Sequence, residues 1–133
     1  MRYLKSFVFI AFLVARFNAN AQSGAIIHTI DSTHNACLTK GEHVENCARV
    51  YHAKLDSMVK VVYNILRIRC DTNGRVKLLK EQEEWEIRRE FYKTSVTNED
   101  KDLDDEDKKM DMDDKLADFD RKRIMVMLDR MVY

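Results

Sequence analysis

Apolar residues recur every three or four positions from residue 44 to residue 65, and this spacing constrains the fold most. The stripe consists of Val44, Cys47, Ala48, Tyr51, Leu55, Met58, Val62 and Ile65. Such steps place all eight side chains on one face of a helix about six turns long. Proline is absent and glycine occurs three times, which is too little turn chemistry for a sandwich or a barrel. The pattern therefore predicts an all-α protein.

Two further helical runs follow the first. The second run contains Leu78, Gln82, Trp85, Arg89, Tyr92 and Val96, and the third contains Leu116, Ala117, Ile124, Met127, Leu128 and Met131. We expect the third helix to extend from about Asp113 to Met131. Only the short turn at residues 71–74 separates the first two helices, so they should form an antiparallel hairpin. The third helix would close a small three-helix bundle against this hairpin.

The first 21 residues have the three-part pattern of a secretory signal peptide. Arg2 and Lys5 precede an apolar run at residues 7–15, and a small-x-small cleavage site ends at Ala21. An uncleaved membrane anchor is the alternative, but this run is shorter than the roughly 20 residues that span a bilayer. We therefore expect export to the periplasm or beyond the cell, with no stable membrane anchor after cleavage.

The remaining chain of about 112 residues is long enough for one modest core. Residues 22–40 are polar and aperiodic, which predicts an extended, partly ordered lead-in. Thr39 and Glu42 have the spacing of a capping box at the start of the first helix. Residues 41–133 would then form the helical domain.

Three cysteines, Cys37, Cys47 and Cys70, allow at most one internal disulfide. Cys47 and Cys70 would be about 34 Å apart on one helix, whereas bridged α-carbons lie within about 7 Å of each other. The preferred pair is Cys37 and Cys47, which would fold the lead-in back onto the first helical turns. A zinc site formed with His34 and His43 is the alternative, but an oxidising compartment favours the disulfide. We expect no metal and no cofactor.

Residues 98–115 form an acidic segment between the second and third helices. Residues 99–120 contain twelve acids and four lysines, for a net charge of −8. The candidate binding residues are Asp100, Asp102, Asp104, Asp105, Glu106 and Asp107. Their alternation loosely resembles a calcium loop, but Asp105 occupies the position that such a loop reserves for glycine. A solvated acidic stretch is the preferred interpretation.

The overall charge and the distribution of reactive groups exclude several classes of function. Without the first 21 residues the chain has 20 bases against 23 acids, whereas a generic nucleic-acid binder needs surplus positive charge. The acids lie in one run instead of on two facing walls, so they do not suggest a glycosidase. No serine–histidine–aspartate arrangement is identifiable. We expect a protein that is not an enzyme and has no catalytic residues.

Two sets of spaced residues carry a family resemblance. The first set is Tyr51, Asp56, Val59, Lys60 and Tyr63, and the second is Leu79, Gln82, Trp85, Arg89 and Glu90. Together with the cysteine pair, the export signal and the tail residues Arg123 and Leu128, they resemble the LprI-like family, named for a lysozyme-inhibiting lipoprotein. The resemblance covers about residues 37–128.

The resemblance implies an all-α fold and inhibition of lysozyme. The leading hypothesis is an exported binding protein that occludes a basic lysozyme, with the acidic segment facing the positive surface of the enzyme. A non-inhibitory envelope adaptor or scaffold of the same fold is the alternative. We expect structural roles for Tyr51, Asp56, Tyr63, Gln82, Trp85 and Arg89. Trp85 should lie in the core, and Arg89 should pair with a buried acid such as Asp56.

Overall fold

The computed structural model describes residues 24–41, 43–99 and 102–131 of the chain, and these residues form four helices and no strand. Helix α1 comprises residues 24–40, α2 comprises Val44–Arg69, α3 comprises Thr72–Glu99 and α4 comprises Asp105–Asp129. The predicted all-α class is confirmed, with four helices instead of three. The proposed signal peptide and its cleavage site lie outside the described residues.

Helix α1 occupies the segment that we predicted to be an extended lead-in. The prediction was wrong. Helix α1 buries only a narrow edge, with Ile27 in the core and Ile30 partly buried against it, so its sequence shows no helical apolar period. Its many hydroxyl groups turn back onto the helix. Thr29 and Thr33 donate to carbonyl oxygens four residues earlier, at 2.9 and 2.7 Å. Polar residues that resemble a loop are thereby accommodated on the exposed side of a helix.

The connection between α1 and α2 also differs from the predicted capping box. Thr39 lies in the last turn of α1, where its hydroxyl donates to Asn35 O at 2.8 Å. Glu42 lies outside the described residues. The N-cap of α2 is His43, which has a left-handed backbone with φ 54° and makes no side-chain capping bond. Gly41, with φ +69°, is a second left-handed residue between the two helices, a conformation that glycine adopts without steric cost.

The turn between α2 and α3 is shorter than predicted, because α3 already begins at Thr72. Asp71 caps this helix by accepting from the backbone N–H of Gly74 at 2.7 Å. A Cβ atom at Gly74 would lie 3.0 Å from that carboxylate oxygen and 3.1 Å from the Cβ of Cys70. Glycine therefore permits a close approach inside the first turn of α3.

Helices α2 and α4 form the central pair of the bundle, and α1 and α3 flank it. The interface of the pair contains Leu55 and Val62 from α2 and Ile124 and Met127 from α4, all of which are fully buried. Arg121, on one flank of α4, bonds to α1, whereas Phe119 and Arg123, on the other flank, contact α3. Because α3 packs chiefly on α4, it touches α2 at few points.

The predicted disulfide is confirmed. Cys37 of α1 and Cys47 of α2 are bonded, with their α-carbons 5.8 Å apart. Cys70, at the end of α2, is a partly buried free thiol. The alternative zinc site is ruled out in this state, because both of its cysteines are oxidised and cannot act as thiolate ligands.

Helix α4 begins at Asp105, eight positions earlier than predicted, so most of the acidic segment is helical. Asp104 is its N-cap and accepts from the backbone N–H groups of Glu106 and Asp107 at 3.1 and 2.9 Å. Acids in the first turn also interact favourably with the helix dipole. Positions 105–111 cannot form a calcium loop while they are helical. The described residues contain no group of three or more metal-ligating side chains.

Candidate functional site

A cleft of about 290 Å³ lies between α2 and α3, which touch each other at few points. It is lined by Asp56, Val59, Lys60, Gln82, Trp85, Glu86, Arg89 and Glu90. All but Glu86 belong to the two spaced sets from which the family resemblance was drawn. Residues far apart in the sequence thus meet at one site, and charged groups of both signs surround an aromatic ring.

Arg89 is fixed at the inner side of this cleft by a buried carboxylate. Its Nε donates to Asp120 Oδ1 at 2.5 Å and its Nη2 donates to Asp120 Oδ2 at 2.8 Å. Asp120 has no exposed surface. A longer bond of 3.3 Å runs from Arg89 Nη2 to Asp56 Oδ1. The predicted pairing with Asp56 is therefore secondary, and the hydrogen bonds to Asp120 raise the pKa of Arg89 against the effect of its burial.

His52 of α2 contacts Arg89 as well, and together with Asp56, Asp113 and Asp120 these residues form a charged cluster. Its Nδ1 lies 2.7 Å from Asp113 Oδ1, and its Nε2 lies 3.0 Å from Arg89 Nη2. Because arginine only donates, Nε2 of His52 must accept, and the ring proton then sits on Nδ1 and is donated to Asp113. Nε2 is also 3.6 Å from Asp120 Oδ2. The charged cluster connects α2, α3 and α4 at one level of the bundle.

Two guanidinium groups lie close to the ring of Trp85. The Cζ atoms of Arg89 and Arg123 are 5.9 and 6.0 Å from its ring centroid, within the range of cation–π attraction. Arg123 donates two bonds to Gln82 Oε1, at 3.2 and 3.0 Å, and burial lowers the pKa of this arginine. The tryptophan ring stacks on Phe119 and is 8% exposed. The ring therefore forms part of the core and has only a small edge at the cleft.

Tyr51 lies on the side of the central helix pair that faces α1, and it bonds to α1. It donates to Asp31 Oδ1 at 2.8 Å and stacks on His34 with ring centroids 4.0 Å apart. Arg121 reaches the same carboxylate from α4, with its Nη2 at 2.8 Å from Asp31 Oδ2. Burial and the bond to Asp31 raise the pKa of Tyr51 to about 12. Tyr63, also from the first motif set, is partly buried against the core.

The candidate acidic residues lie at one end of the bundle and do not line the cleft. Asp102, Asp104, Asp105, Glu106 and Asp107 are all exposed, and Asp100 lies outside the described residues. Arg89 precedes the end of α3 at Glu99 by ten residues, which is about 15 Å along the helix axis. The sequence-based candidates therefore divide between two places, the cleft and the acidic end.

His52, Asp113 and Asp120 were not among the site residues predicted from the sequence. Asp120 had a usable signal, because it falls at helical spacing between Leu116 and Ile124 in an apolar run and is therefore forced into the core. His52 is adjacent in sequence to Tyr51 and carried no comparable signal.

Comparison with known protein families, with curated proteins and with solved structures finds no match to this chain. Among the described helices, none is long and apolar enough to cross a membrane.

Proposed function

We propose that this chain is an exported binding protein of the LprI-like kind, which occludes a basic lysozyme by protein–protein contact. The observation that carries this proposal is the acidic end of the bundle. Five exposed acidic side chains lie there on a capped helix start and the residues just before it: Asp102, Asp104, Asp105, Glu106 and Asp107. A dense negative surface attracts a strongly basic partner and raises its rate of encounter.

The order of this surface favours binding. Acids on a flexible tail would lose conformational entropy when a partner fixed them, which weakens association. In this protein the capping bonds of Asp104 hold the first turn of α4 in place before any partner arrives. Farther along the helix, Asp113 ties α4 to His52 of α2. Most of the negative surface is thus carried by a capped helix that is bonded to α2.

The motif residues have a supporting role in this proposal. The bond from Arg89 to Asp120 holds α3 against α4, and Trp85 fills the space between these helices. These interactions hold α3 against α4, the helix whose start carries most of the acids. The disulfide between Cys37 and Cys47 suits the oxidising compartment in which an exported inhibitor works.

The test is turnover of a basic lysozyme in the presence of the purified exported chain, at low and at moderate salt. Inhibition should weaken as salt rises, because surface charges are screened. The variant Asp105→Asn, Asp107→Asn should weaken inhibition about 3- to 10-fold at low salt, on the scale of two exposed ion pairs. The matched control Glu83→Gln, Glu84→Gln removes the same charge from the exposed side of α3 and should leave inhibition unchanged.

Two outcomes would contradict the proposal. No inhibition at stoichiometric excess under either salt condition would end it for the lysozyme tested. An equal loss in both variants would move the contact away from the acidic end. Capture of an envelope protein by the exported chain, without lysozyme inhibition, would favour the adaptor alternative.

A further inference from the structure

The end of the bundle opposite the acidic end is basic. Helix α3 has 28 residues, so its two ends are about 42 Å apart, and the α2–α3 connection lies far from the α3–α4 connection. Residues 67–80, which we call the basic tip, contain five bases and one acid. The bases are Arg67, Arg69, Arg75, Lys77 and Lys80, and all are exposed. The acid is Asp71, which caps α3.

The basic tip also exposes large aliphatic side chains. Ile68 is 71% exposed and Val76 is 67% exposed, and Leu79 is half exposed. Ile68 is in the last turn of α2 and Val76 is near the start of α3, so both flank the short connection. Aliphatic side chains among lysines and arginines are typical of surfaces that lie in the interface of a membrane.

Hydrogen bonds within the α2–α3 connection hold the backbone that carries these side chains. Asp71 accepts from the backbone of Gly74 at 2.7 Å, and Arg75 Nε donates to the carbonyl oxygen of Cys70 at 3.1 Å. The turn is also short, since α2 ends at Arg69 and α3 begins at Thr72. Docking at this end would therefore require little ordering of the chain, which favours binding.

We propose that the basic tip docks reversibly on an anionic lipid surface. The lysine and arginine side chains contact lipid phosphates, while Ile68 and Val76 enter the headgroup–acyl boundary. Nucleic acid is a poorer fit, because surfaces that bind single strands stack bases on aromatic rings and residues 67–80 contain none. This inference goes beyond the proposed inhibitor function and does not depend on it. Docking in this way would direct the acidic end away from the lipid.

The test uses a local fluorescent reporter in the exported chain. In Ile68→Trp the new indole replaces an exposed side chain, while Trp85 contributes a constant signal from the core. Adding vesicles of phosphatidylcholine mixed with phosphatidylglycerol should shift the emission to shorter wavelength, and phosphatidylcholine alone should not. The matched control is Phe91→Trp, at a site 78% exposed in the second half of α3, and its emission should not change.

A charge variant tests the same surface without a new aromatic residue. Each base near an anionic membrane contributes about fivefold to partitioning, so Lys77→Gln, Lys80→Gln should lower vesicle binding about 25-fold. Lys108→Gln, Lys109→Gln removes two lysines near the acidic end and should leave binding within about twofold. Circular dichroism of each variant checks that the helices remain intact.

Several results would overturn the inference. These are no emission shift at position 68, an equal shift at position 91, equal binding to neutral vesicles, or equal losses in the two lysine variants. Binding of a single-stranded oligonucleotide by the wild-type chain, without vesicle binding, would identify a different polyanion as the ligand. Failure of lysozyme inhibition would leave this inference standing, since the two tests use opposite ends of the molecule.

Discussion

Replacing Asp120 with asparagine should lower the free energy of unfolding by about 3 kcal/mol. Asp120 is fully buried and accepts two charge-assisted hydrogen bonds from Arg89, at 2.5 and 2.8 Å. Breaking a buried ion pair by removing one partner costs about 3–5 kcal/mol, because the other charge is left uncompensated. The lower figure applies because Arg89 keeps a bond of 3.3 Å to Asp56.

The reverse change, Arg89→Gln, should cost about 4 kcal/mol, since it strands the more deeply buried charge. The imidazole of His52 would remain beside this carboxylate, with its Nε2 3.6 Å from Asp120 Oδ2. The double variant Asp120→Asn, Arg89→Gln should lower the free energy of unfolding by about 2–3 kcal/mol less than the sum of the two single changes. The second change removes no further ion pair, because the first has already broken it. Such coupling distinguishes a direct interaction from two unrelated defects.

The assay is urea denaturation followed by circular dichroism, which reports the helices of an all-α chain directly. A loss of about 3 kcal/mol should also lower Tm by about 12 °C in a domain of this size. The matched control is Asp118→Asn on the same helix, where Asp118 and Lys122 form a pair with 60% and 75% exposed side chains. This change should leave the free energy of unfolding close to that of the wild-type chain, because exposed ion pairs contribute little. Equal costs at positions 118 and 120 would refute the argument from burial.

Three further perturbations test other parts of the fold. Replacing Cys37 and Cys47 with serine should cost about 2.7 kcal/mol on the loop-entropy relation, measured in urea, and reductant should reproduce the loss in the wild-type chain. In an ultraviolet titration, Tyr51 should ionise near pH 12, and Tyr51→Phe should remove that step. Since its pKa is raised above the ordinary 10.0, the Tyr51 contribution to stability is full below pH 10 and is lost as pH rises toward 12. Trp85→Ala should cost about 3 kcal/mol in the same urea assay, at the lower end for a core tryptophan because one edge meets the cleft.

The free energy of unfolding at low pH depends on Asp31. Burial by itself would raise the pKa of Asp31, but hydrogen bonds from Arg121 and Tyr51, together with the charge of Arg121, lower it below 3.8. A lowered pKa contributes stability above the ordinary value, and this contribution is lost as the pH falls through the folded value. In an acid titration of unfolding, Asp31→Asn should flatten the loss of stability below pH 3.8.

How far the fold could be predicted depends on how wide a face each helix buries. Helix α2 buries residues from Cys47 to Leu66 along its whole length, so its apolar stripe was visible in the sequence. Helix α1, residues 24–40, has Ile27 as its one buried apolar residue, so its sequence resembles a loop. The start of α4 escaped prediction because its acids stabilise a helix through capping and the dipole, which leave no apolar period.

The candidate site was only partly predictable, because its partners come from three helices. The spacing of Gln82, Trp85 and Arg89 placed them correctly on one face of α3. No local sequence pattern predicts which acid on another helix will pair with Arg89. The partner is Asp120 because α3 packs more closely on α4 than on α2. The sparse contact between α2 and α3 also creates the cleft. The cleft is therefore a property of the packing, and no pattern in either helix alone predicts it.

The balanced charge of this chain conceals two surfaces of opposite sign. The 20 bases and 23 acids that follow the first 21 residues argued against a generic nucleic-acid binder, but these totals describe the sum of the charges and not their distribution. Charges are screened over about 8–10 Å at physiological salt, whereas the two ends of α3 are about 42 Å apart. A partner at either end therefore experiences only the local charge, negative at the start of α4 and positive around residues 67–80. The up-and-down order of the helices creates this separation, since it sends alternate connections to opposite ends of the bundle. The proposed lysozyme contact and the proposed lipid contact would therefore lie at opposite ends of the molecule, where their electrostatic interactions would not oppose each other.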